Sequence, residues 1–107
     1  MTQLLRMGGN GQGTVPFVHF DRAELSRLFA LYSQRVAEGE WKDYAIDQQP
    51  DRAVFAVYRH ALDSPLFTIS KFGRGWEVAS GLRKLRRADT LDDILTIFDR
   101  ALRLVTH

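Results

Sequence analysis

Three apolar-rich segments, Glu40 to Asp47, Ala53 to His60 and Leu66 to Phe72, follow one another with five residues between each pair. This spacing constrains the fold more than any other feature of the chain. A parallel crossover needs a dozen residues or more, so strands this close in sequence pair antiparallel. The connections, Gln48-Gln49-Pro50-Asp51-Arg52 and Ala61 to Pro65, carry turn-forming residues. In the second and third segments Phe55, Val57, Phe67 and Ile69 supply one core face. Val54, Tyr58, Leu66 and Phe72 leave the opposite parity partly apolar, so either facing is open at this level. Gly73-Arg74-Gly75 permits a tight turn into a short fourth strand, Trp76 to Ser80, which Gly81 closes.

Helices flank these strands. Asp21-Arg22-Ala23-Glu24 has a capping side chain followed three residues later by a Glu that can reach back. Leu25, Leu28, Phe29, Tyr32 and Val36 then recur at helical spacing, Arg22, Arg27, Gln34, Arg35 and Glu38 fall largely elsewhere, and Gly39 can take the left-handed conformation that ends a helix. Near the C-terminus Thr90 precedes Leu91, Asp92 and Asp93 sit in the first turn, and Arg100 and Arg103 come near the end, which suits the helix dipole. The stripe there is Leu91, Ile94, Leu95, Phe98, Ala101, Leu102 and Val105. Ile97 and Leu104 lie just outside it and widen the apolar face.

Before the first helix, Gly8, Gly9, Gly11 and Gly13 make residues 1–14 a flexible tail by composition, and Val15 to Phe20 reads as an edge strand or extended lead-in. The expectation is therefore an α+β fold: a helix, an antiparallel sheet of about four strands and a C-terminal helix, in one domain over residues 15–107. With 45% hydrophobic residues among 107, such a domain can fold without staples, and the absence of Cys removes disulfides, thiolate metal sites and a cysteine nucleophile. Lack of Cys suits a cytoplasmic setting, and no apolar run resembles a signal peptide or a membrane span.

No motif for catalysis stands out. The glycine tail lacks the spacing of either nucleotide-binding fingerprint, and no Ser occupies a nucleophile-elbow pattern. His19, His60 and His107 lie far apart without metal-ligand spacing, so neither a metal nor a cofactor is expected. Asp43 and Asp47 would share a strand face, but about 13 Å of extended chain separates them, too far to hold one proton or one ion. An enzymatic site would have to bring His60 to Asp43 or Asp47 across strands. The one concentrated charge is Arg83-Lys84-Leu85-Arg86-Arg87, four cations in five residues, read as a basic loop able to contact phosphates. Net charge is only +2, which does not suggest a polycationic surface. The apolar excess points instead to a protein partner or to self-association as a homodimer, with Ile97, Leu104, Trp41 and Tyr44 as candidate contacts.

At Phe20-Asp21-Arg22-Ala23-Glu24-Leu25, Gly39-Glu40-Trp41-Lys42-Asp43-Tyr44-Ala45-Ile46-Asp47 and Ala53-Val54-Phe55 the chain resembles an uncharacterised bacterial family, the domain-of-unknown-function family numbered 2794. The likeness runs from about Phe20 to Val105. It implies a bacterial, cytoplasmic, stand-alone small protein and brings no activity, cofactor or catalytic residue with it. The reading is thus a non-catalytic interaction or regulatory module. A nucleic-acid-binding module using Arg83, Lys84, Arg86 and Arg87 is the alternative, and a small enzyme around His60 the second alternative.

Overall fold

A computed structural model of the chain describes residues 18–60 and 64–105, with side chains as far as Asp99. The glycine-rich tail, the side chain of Leu104 and the end of the C-terminal apolar stripe lie outside the described residues. Helix α1 (Arg22–Ala37) opens with the anticipated capping box: the Glu24 N–H donates to Asp21 Oδ1 and the Asp21 N–H to Glu24 Oε1, both at 2.8 Å. Glu24 Oε1 also receives Lys71 Nζ at 2.7 Å, and that ammonium donates in addition to the His19 carbonyl and lies 5.8 Å from the Trp76 ring centre. One lysine thereby ties the start of the helix to the sheet. Gly39, at φ +79°, ends the helix as expected.

Five strands follow: β1 (Asp43–Gln49), β2 (Arg52–Tyr58), β3 (Phe67–Phe72), β4 (Gly75–Ser80) and β5 (Arg83–Ala88). They form one antiparallel sheet in sequential order, β1-β2-β3-β4-β5. Two-residue turns at Pro50-Asp51, Gly73-Arg74 and Gly81-Leu82 join three of the four hairpins. The count is one more than the sequence suggests. The basic segment 83–87, anticipated as a loop, is an edge strand paired to β4 with a bulge opposite Val78 and Ala79. Its alternation is hidden because charge occupies both parities, and cations along an edge also discourage another chain from pairing there.

The facing left open by the sequence is resolved by the register. Phe55 pairs with Ile69 and Ile69 with Val78, and all three are fully buried together with Leu28 of α1 and Ile94 of helix α2 (Leu91–Val105). Both helices therefore pack on the same side of the sheet. Thr90 caps α2 by accepting the Asp93 N–H at 3.1 Å. Phe98 of α2 meets Trp41 and Phe67 edge-on at 5.6 and 5.2 Å.

Two side chains of α1 exchange their expected roles. Val36, placed on the apolar stripe by its spacing, is 40% exposed, whereas Arg35 is buried. The Arg35 guanidinium donates to Glu40 Oε1 at 3.1 Å and to the Phe98 carbonyl at 2.7 Å, and stands 5.9 Å from the Trp41 ring. The cation joins the C-terminal end of α1 to α2, and a partnered charge of this kind is invisible to a hydropathy pattern.

Candidate functional site

Because the helices share one side, the other side of the sheet is covered by no described helix. Strand parity assigns that face residue by residue. Asp47, Val54, Ser70, Glu77 and Arg87 form one row across the five strands, and Ala45, Ala56, Thr68, Ala79 and Lys84 form the next. Arg52 and Phe72 lie opposite each other at one end and Asp43 and Tyr58 at the other. The middle is low and flat: Ala56 and Ser70 are buried by taller neighbours, while Val54, Thr68 and Ala79 are half-buried.

Charge is distributed unevenly over this surface. The β1 side presents Asp43 and Asp47, both exposed. Asp47 Oδ2 accepts from Gln49 Nε2 at 2.8 Å, and Asp43 Oδ1 accepts the Tyr44 N–H at the same distance. On the opposite side, Lys84 and Arg87 of β5 are exposed. The guanidinium groups of Arg52 and Arg87 lie 4.9 and 5.6 Å from the Phe72 ring centre. Lys84 Nζ reaches Glu77 Oε2 at 3.7 Å, and that buried oxygen has no hydrogen-bond partner. A carboxylate oxygen held this way keeps unused acceptor capacity just beneath the surface.

The residues singled out by sequence fare differently. Trp41, a candidate contact, is 2% exposed and belongs to the core, because its indole is enclosed by Tyr32, Phe67 and Phe98. Ile97 packs against the same core instead of standing outside the helix stripe. Tyr44 remains 40% exposed on the edge strand, beside Ile46 at 45%, while its ring stacks on Phe55 and meets Phe29 and Tyr32 edge-on. Leu104 lies outside the described side chains. The four cations do not form one patch: Lys84 and Arg87 fall on the uncovered face, whereas Arg83 and Arg86, paired with Ser80 and Val78, fall on the helix-bearing side.

His60 is exposed just past the end of β2, near the Asp43 end of the sheet and away from Asp47. Two clefts run between the helices, lined in part by Glu24, Arg27 and Asp92 and by Gln34, Leu95 and Asp99, and neither includes His60, Asp43 or Asp47. Among the described residues no group of three His, Asp or Glu side chains could hold a metal ion. The Tyr32 hydroxyl is pushed above its ordinary value, first by burial and then by the negative charge of Asp43. Glu77 is the functional candidate that the sequence did not reveal. Alternation within Trp76-Glu77-Val78 assigns it to the far face, but its burial there, between Ser70 and Arg87, follows only from the fold.

A family model described as "Protein of unknown function (DUF2794)" matches residues 18–75, which takes in α1 and the strands through the β3–β4 turn. No curated protein and no solved structure matches the chain.

Proposed function

Because the chain belongs to the DUF2794 family, whose description attaches no activity, we propose on physical grounds that it is a non-catalytic interaction module that self-associates through the uncovered face of its sheet. The observation that carries this reading is the placement of both helices on one side. The opposite face then presents Val54, Ala56, Tyr58, Phe72 and Ala79 among its polar groups. Five strands at about 4.8 Å spacing and about 20 Å in length give a flat footprint of roughly 450 Å². Two such faces together bury about 900 Å², the size of weak or transient interfaces, so the expected dimer is a weak, concentration-dependent one.

The reading includes a bacterial, cytoplasmic setting, which the absence of Cys suits. No helix of the described residues is long and apolar enough to cross a membrane. Light scattering of the 12.3 kDa chain at tens of micromolar should return a mass that rises toward twice that value with concentration. Ala56→Arg or Ala79→Arg, which raise a long cation from the flat middle of the face, should return the single-chain mass with an unchanged circular dichroism spectrum. A parent chain that stays monomeric across the micromolar range ends the proposal.

The Arg52–Phe72–Arg87 cluster favours a second reading, binding of nucleic acid on the same face, since arginine and aromatic side chains suit phosphates and bases. The division of the basic strand between two faces weighs against it, because only Lys84 and Arg87 of its four cations can meet a ligand there. Salt-sensitive binding of single-stranded RNA or DNA that disappears when Arg83, Lys84, Arg86 and Arg87 are changed to Gln would favour it.

A further inference from the structure

The proposed self-association leaves open how two copies lie on each other, and the charge on the sheet bears on that choice. A face-to-face pair of identical sheets has its two-fold axis in the plane between them, and aligned packing leaves two limiting directions. An axis across the strands lays β1 over β1 and β5 over β5. Asp43 and Asp47 would then meet their own counterparts, and so would Lys84 and Arg87. An axis along the strands, above β3, lays β1 of each copy over β5 of the other. Acid then meets base at both edges, about 19 Å apart across the sheet at ordinary strand spacing.

Like charges brought together at an interface cost several kcal/mol, whereas opposite charges at its rim steer docking and fix register. The centres of both middle rows also suit the second arrangement. A rotation about the strand direction keeps each row on itself, so Ser70 meets Ser70 and the small Ala56 meets the small Ala79. In the other row the buried Glu77 comes over Val54, and Arg52, the next residue on that face of the same strand, offers a donor for the oxygen that has no hydrogen bond. The usual rotation of about 30° between packed sheets shifts contacts along the edges, but each edge carries two charges of one sign and tolerates that shift.

We infer that a second copy of this chain covers the sheet with its two-fold axis close to the strand direction, Asp43 and Asp47 of each copy facing Lys84 and Arg87 of the other. The inference rests on the self-association proposed above and adds its geometry. The partner surface is thus the same face with its two edges exchanged, and neither helix takes part in the contact. The Asp47–Gln49 hydrogen bond and the Arg87–Phe72 stack can persist in such a pair, since both lie at its rim.

Two variants test it. Asp43→Lys with Asp47→Lys makes both edges basic, and Arg87→Glu weakens the basic edge. Each alone should raise the dimer dissociation constant at least about tenfold, and an equimolar mixture of the two should associate more tightly than either variant alone, with that gain fading as salt is added. Asp43 and Asp47 are exposed, and matching melting temperatures verify that both variants fold. If both variants dimerise as tightly as the parent, the orientation is wrong while self-association stands. Weakened variants that gain nothing on mixing also overturn the orientation. A monomeric parent overturns both and leaves the face to a different partner.

Discussion

Single residues carry unusual weight where α1 ends. Arg35 is 4% exposed, and removing its guanidinium leaves the Phe98 carbonyl without that donor and Glu40 without its cation. Arg35→Ala should cost about 2–4 kcal/mol in denaturant unfolding, because two charge-assisted hydrogen bonds and the packing of a buried side chain are lost. Gly75 is a second such position. Its φ of +155° is hostile to a side chain, and a Cβ there would come within 2.9 Å of the Ala88 carbonyl oxygen. Gly39 also has positive φ but open space around it. Gly75→Ala should therefore lose about 2–3 kcal/mol and Gly39→Ala about 1 kcal/mol, measured side by side in urea. Tyr32 adds a pH dependence. Its hydroxyl ionises above its ordinary pKa of 10.0 in the fold, so the unfolded chain releases that proton first and stability falls as pH rises beyond 10.0. Alkaline unfolding of Tyr32→Phe should be shallower than that of the parent, with tyrosinate absorbance lagging in the parent until it unfolds.

Elements differ in how plainly the sequence announces them. Both helices are legible because their caps are chemical: Asp21 with Glu24, and Thr90, make the bonds their positions suggest. Strands β2 and β3 are legible because Phe55, Val57 and Ile69 have no plausible environment but a core. β5 is not, since Arg83-Lys84-Leu85-Arg86-Arg87 offers one apolar residue and a bulge that breaks the alternation around it. Nor could spacing find the lining of the candidate site, which depends on which parity the helices cover, a tertiary fact. The same physics gives β5 a protective role. Changing its four cations to Gln should leave the sheet intact but expose a neutral edge, seen as concentration-dependent turbidity on warming that the parent does not show.

At the scale of the molecule, the described residues form a sheet with both helices on one side, and the mass measurement proposed above asks whether that asymmetry is completed by a copy of itself. The sequential strand order has a separate consequence, in time. Each strand pairs with the one just before it in the chain, so the sheet is built from local closures that cost little loop entropy. The tie from Arg35 to Phe98 spans 63 residues and can form only once α1, the sheet and α2 have met. Collapse of the hairpins should precede docking of α2. Arg35→Ala should then accelerate unfolding far more than it slows refolding, leaving the refolding arm of a chevron plot almost unmoved.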